Sequence, residues 1–186
     1  MNDKLEKAYG RNGLGAISIN GIPQFPELRK KLLPLCHKLA HLDEESKRKL
    51  EHPESMYNVG WSHGKEKMGD EPDFAKGSFY ANPMYDKAAD DEIIKKYPFF
   101  YPVNIWPQQI PEIETYFKQL GSIMFNTVVL LSSHVDKLIS EKIPTFQKGS
   151  LYNEIKNTKK IKGRMLYYYP TGSTKDDGWI AAHNDR

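Results

Sequence analysis

The chain has 186 residues, 39% of them apolar, enough to bury the core of one domain with or without a substantial extension. Its 27 basic and 24 acidic residues leave a formal charge of +3, a nearly balanced surface without the polybasic footprint of a nucleic-acid-binding protein. A single cysteine, Cys36, excludes an internal disulfide and a cysteine-based zinc site, and it suits a reducing compartment, so the cytoplasm is the expected location.

The N-terminal residues 1–7 carry no apolar signal-like core, and no stretch approaches the roughly 18 apolar residues of a membrane span, so no membrane partner is expected. Gly15 to Asn20 alternates apolar with small or polar residues and reads as a short strand, closed by a turn at Gly21-Ile22-Pro23. From Pro26, Leu28, Leu32, Leu35 and Leu39 fall at spacings of three or four, one stripe of an amphipathic helix in which Pro34 predicts a kink. Asp43 is placed to cap a further short helix with Glu44 and Glu45 in its first turn.

Between Pro53 and Pro111 the chain is crowded with Gly, Pro, Asn, Asp and aromatic residues, which excludes long helices. The stretch reads as an ordered loop region pinned to the core by its rings. From Glu112 to Ile139, apolar residues recur without a break every three or four positions. The spacing predicts one helix about 40 Å long that buries Ile113, Phe117, Leu120, Met124, Leu131 and Leu138. A shorter helix is expected over Ser150 to Asn157. The five basic residues between Lys156 and Arg164 then read as a solvated connector.

After Gly163 the pattern becomes β-like. Met165 to Tyr169 reads as a strand, Pro170 to Gly178 as a loop, and Trp179 to Asp185 as a second strand. Side chains alternate along a strand, so His183 and Asp185 share a face while Asn184 takes the other. An imidazole and a carboxylate so placed can fill two neighbouring corners of a metal octahedron. A further His would complete the two-His, one-carboxylate facial triad of non-haem Fe(II) oxygenases. His-X-Asp by itself also occurs as an ordinary polar strand end. His37 and His41 stand four apart, a spacing able to chelate a metal, but they read as polar residues of an exposed helix face, and His52, His63 and His134 as surface or loop residues.

The run from Gly163-Arg164-Met165-Leu166-Tyr167-Tyr168-Tyr169-Pro170 to Trp179-Ile180-Ala181-Ala182-His183-Asn184-Asp185-Arg186 resembles the start of the catalytic core of isopenicillin N synthase-like, 2-oxoglutarate- and Fe(II)-dependent dioxygenases. Upstream, the Gly15 to Pro23 strand and turn, the Asp43 to Leu50 helix, the Gly60 to Glu66 loop and the long helix occur in the same order as in that family. The resemblance implies an α+β fold, with an N-terminal helical region and its long helix packed on the first strands of a double-stranded β-helix, or jelly roll, that this chain does not complete. It divides the chain into a dioxygenase N-terminal region over 1–140, a connector over 141–162 and the start of the jelly roll over 163–186.

By the same resemblance His183 and Asp185 are the first two Fe(II) ligands, and Tyr169 is a hydrogen-bond donor to a 2-oxoglutarate carboxylate. Tyr167 stands where the family commonly has Asn. The implied partners are O2 and a small organic substrate, with ascorbate as an optional reductant. The second His ligand and the Arg-X-Ser pair that grips the cosubstrate do not occur in the 186 residues, so the chain alone is expected to be inactive. Two alternatives stay open: a catalytically incomplete fragment acting as an interaction module, and an oxidase that dispenses with 2-oxoglutarate.

Overall fold

A computed structural model describes residues 2–68 and 70–170. His183, Asp185 and the strand expected over 179–185 lie outside the described residues.

The structure is a mixed α+β arrangement. Helix α1 (Asn2–Tyr9) leads through extended chain to α2 (Phe25–Ala40), and α3 (Glu44–Arg48) follows. A 3-10 turn at Pro53–Ser55 precedes strand β1 (Gly60–His63), the β2–β3 hairpin (Lys67–Met68 and Glu71–Pro72), strand β4 (Lys76–Ala81) and helix α4 (Asp91–Lys96). Helices α5 (Glu112–Lys142) and α6 (Ser150–Asn157) lead into strand β5 (Gly163–Tyr168).

Strands β1, β4 and β5 form one antiparallel sheet in that order, with Trp61 opposite Phe79 and Phe79 opposite Met165. By the two-residue period, Trp61, His63, Gly77, Phe79, Met165 and Tyr167 share one face, while Ser62, Ser78, Tyr80 and Arg164 take the other. The first face carries the core. Phe79 is fully buried and meets Phe117 of α5 edge-on at 5.9 Å and Trp106 at 5.8 Å. Leu28, Leu32, Leu35 and Leu39 of α2 join Ile113, Phe117 and Leu120 of α5 in the same cluster, so both helices lie over this one side of the sheet.

Two expectations need correction. Gly15 to Asn20 forms no strand and joins neither sheet among the described residues. The region 53–111 is not a loop laid on the core, since β1 and β4 within it are two of the three strands of the core sheet. Their composition hid them. Lys76-Gly77-Ser78 has little β character, yet Gly77 is required because a Cβ there would stand 2.3 Å from the buried Trp61 ring. Gly60 is constrained too: its φ is +72°, and a Cβ would fall 1.8 Å from the Leu50 carbonyl oxygen, which accepts the Trp61 N–H at 2.9 Å.

The long helix is continuous and longer than expected, and the short ones at Asp43 and Ser150 are present. The Asp43 carboxylate accepts the Ser46 N–H at 2.9 Å, as a capping residue does. Four of the six stripe residues of α5 are buried, but Met124 is 51% exposed and Leu131 only half-buried. In its C-terminal half the helix turns Ser132 and Asp136 inward instead, against the segment leading into α6. The Asp136 carboxylate accepts N–H bonds from Gly149 at 2.6 Å, Leu151 at 3.0 Å and Tyr152 at 3.3 Å. A residue of α5 thereby caps α6, whose own N-cap Gly149 has no side chain to do so. Among the described residues no helix is long and apolar enough to cross a membrane.

Candidate functional site

Tyr169 continues the line of β5 by one residue, its N–H donating to the Ala75 carbonyl at 2.8 Å. Alternation puts its ring with Tyr167 on the core face, toward the C-terminal end of α2. There the Tyr169 phenol donates to the carbonyl of Ala40, the last residue of α2, at 3.1 Å. Carbonyls in the last turn of a helix have no intrahelical partner, so this donor meets a ready acceptor, which the Lys47 ammonium also approaches at 3.4 Å.

The ring of Tyr169 stacks on His63 at 4.7 Å with 26° between planes and meets Tyr167 edge-on at 4.9 Å. Tyr167 in turn meets the rings of both His37 and His41 edge-on at 5.4 Å, and those imidazoles stack on each other at 4.1 Å. The end of the helix and the sheet thus bring together two phenols and three imidazoles; His37 and His41 are exposed, as the helix-face reading expects, and His63 is half-buried. The available signal was the four-residue spacing of His37 and His41, together with the alternation that puts His63 on the same face as Trp61.

Two of the imidazoles have their tautomers fixed by their acceptors. His41 Nδ1 lies 2.7 Å from the His37 carbonyl oxygen, and His63 Nε2 lies 3.0 Å from that of Phe74. A carbonyl can only accept, so each of these nitrogens carries a proton. Burial, reinforced by the negative charges that Tyr167, Glu44 and Cys36 can carry, pushes the Tyr169 phenol above its ordinary pKa. It is therefore a protonated donor over the physiological range. Burial also pushes the Cys36 thiol up to about 12, which removes it as a nucleophile or metal ligand near neutrality.

The opposite sheet face carries a charged network. Glu66 accepts from the Tyr80 phenol at 2.7 Å and from Arg164 at 3.0 Å, and pairs with Lys76 at 3.1 Å; Lys76 also reaches Asp73 at 3.2 Å. Burial raises the Glu66 pKa, but the hydrogen bonds from Tyr80 and Lys76 and the charge of Arg164 outweigh it and hold the carboxyl below its usual range. The network is charge-compensated and closes on itself.

Among the described residues no group of three or more His, Cys, Asp or Glu side chains is placed to hold a metal ion. His37, His41 and His63 share an aromatic cluster whose other members are Tyr167 and Tyr169, and Glu44 is the carboxylate whose charge reaches it. His183 and Asp185, the expected metal ligands, lie outside the described residues. Tyr169 has the donor chemistry that a carboxylate requires, although its phenol would have to leave the Ala40 carbonyl to provide it. Comparison with the models of known protein families and with curated proteins returns no match.

Proposed function

We propose that this chain supplies the N-terminal region and the first two iron ligands of a non-haem Fe(II)- and 2-oxoglutarate-dependent dioxygenase that oxidises a small organic molecule. Its three-stranded sheet is then part of a jelly roll, His183 and Asp185 are ligands, and Tyr169 donates to the cosubstrate. The observation that carries the reading is the ordered resemblance running from Gly163 through Tyr169-Pro170 to His183-Asn184-Asp185. The protonated, core-facing Tyr169 phenol supports it.

Iron with O2 and 2-oxoglutarate would supply oxidative decarboxylation coupled to oxidation of a substrate C–H bond. The described residues would bind and orient. The Tyr169 phenol exchanges the Ala40 carbonyl for a carboxylate oxygen, and Lys47 stays with that carbonyl, so the exchange leaves no orphaned acceptor. Stacking on His63 holds the phenol ring while the bond is exchanged.

The oxidase that uses no 2-oxoglutarate is the second reading. It is favoured by Tyr167, which presents a ring packed on His37 and His41 where an Asn would present an amide. Anaerobic Fe(II) titration of the chain beside its His183→Ala variant tests the ligand assignment, and 2-oxoglutarate titration of a chain extended through the Arg-X-Ser region separates the two readings.

A further inference from the structure

At the other end of β5 from Tyr169, a cleft of about 790 Å³ opens between the start of that strand, the end of β4 and the aromatic loop after α4. This is within the range of small-molecule sites. Its walls are tied in place by main-chain and carboxamide bonds. Asn104 accepts the Asn82 N–H and returns a bond to the Asn82 carbonyl, both at 2.8 Å, while the Asn82 amide donates to the Lys159 carbonyl at 2.7 Å. Those bonds fasten β4, the aromatic loop and the 159–162 segment to one another, so the cleft is formed before any ligand arrives.

One wall is aromatic and solvent-facing: Phe99 and Phe100 are 40% and 53% exposed, and Tyr101 adjoins them. Two lysines border this wall, and Lys160 is the one whose ammonium faces its rings. Lys160 Nζ lies 4.6 Å from the centre of the Phe100 ring and 5.5 Å from that of Tyr101. Lys162 Nζ lies 4.7 Å over the Tyr80 ring and touches the side-chain oxygen of Asn58. No acidic residue lines the cleft, and among the described residues neither lysine makes a direct ion pair, although the charge of Glu66 reaches Lys162.

We propose that this cleft is a binding site for a small aromatic anion, a planar ring carrying one carboxylate or phosphate group, with the ring on Phe99 and Phe100 and the anionic group between Lys160 and Lys162. Apolar walls with a few convergent polar groups are the pattern of small-molecule sites. The Phe100 and Tyr101 rings already attract the Lys160 cation, and Phe99 meets Phe100 edge-on at 5.0 Å, so a ligand ring laid beside them adds to an aromatic contact already present. Burial, with the nearby Arg164 charge, holds the Lys162 ammonium below its ordinary pKa, and an anion bound beside it relieves that cost. The site is independent of the dioxygenase reading, since it uses none of Tyr169, His183 and Asp185.

The test is calorimetric titration of the 186-residue chain with 2-naphthoate, 2-naphthyl phosphate and the neutral 2-naphthylmethanol, with amide chemical shifts recorded in parallel. At least one anion is expected to bind ten-fold or more tightly than the alcohol, with shifts at Ala81, Ala88 and Lys162. The relative strength of the two anions identifies the anionic group. The double variant Lys160→Gln, Lys162→Gln should lose at least ten-fold in anion affinity and keep its affinity for the alcohol, and Ala88→Trp, which fills the cleft, should abolish all binding. Equal affinity for the alcohol and both anions, an unchanged double variant, absence of binding by either anion, or shifts confined to other regions would overturn the proposal.

Discussion

The phenol of Tyr169 is bonded to the main-chain carbonyl of Ala40, so the residue assigned to the cosubstrate also ties the end of β5 to the end of α2, across 129 positions of sequence. Removing the hydroxyl in Tyr169→Phe costs one hydrogen bond and leaves Ala40 with its Lys47 contact. The expected loss is about 0.5–1.5 kcal/mol of unfolding free energy, read from urea denaturation with the slope unchanged. A loss above about 3 kcal/mol would show that the residue holds more of the fold than this bond.

Asp136 is a second long-range tie, and a more expensive one. Replacing it by Ala strips acceptors from the N–H groups of Gly149, Leu151 and Tyr152. The variant should lose about 2–3 kcal/mol, within the range for unsatisfied buried donors. Hydrogen exchange should quicken first in α6. Retained protection across 149–152 would mean that α6 does not depend on its cap.

High pH should unfold the protein through groups that are buried in their protonated forms. Burial raises Cys36 from 9.0 to about 12. Burial, followed by the bond to Glu66, raises Tyr80 from 10.0 to about 12. A raised folded pKa means that the native state holds its proton more tightly than the unfolded chain. The associated stability is complete below the unfolded pKa and is lost as pH rises toward the folded one. Between pH 8 and 10 the thiol alone should account for about 1.4 kcal/mol of loss. Cys36→Ala should flatten that segment and move the onset up to the tyrosine range. An equally steep decline in the variant would assign the loss to other groups.

How much was legible in the sequence depended on whether a segment's own residues carried the reason for its structure. Helices α2, α3 and α5 announced themselves, because the Leu28 to Leu39 stripe, the Asp43 cap and the 112–139 periodicity are local signals, whereas the short helices α1 and α4 were not read. Strands β1 and β4 did not, since Gly77 and Ser78 make sense only once Trp61 lies across them. The inward turn of Asp136 was equally hidden. A buried carboxylate on the inward side of an amphipathic helix is explained by three N–H groups that lie 13 to 16 residues further on. At the candidate site the resemblance singled out Tyr169, but the three histidines around it and Tyr167 come from the end of α2 and from β1, and only the fold joins those elements.

The central claim is that His183 and Asp185 begin an iron site, and anaerobic Fe(II) calorimetry on the 186-residue chain tests it most directly, with His183→Ala, Asp185→Ala and His37→Ala measured beside it. Two protein ligands without the rest of a facial triad should bind Fe(II) weakly, and loss of either one should weaken binding at least ten-fold while His37→Ala leaves it unchanged. Fe(II) binding that survives both His183→Ala and Asp185→Ala, or that disappears in His37→Ala, would contradict the account.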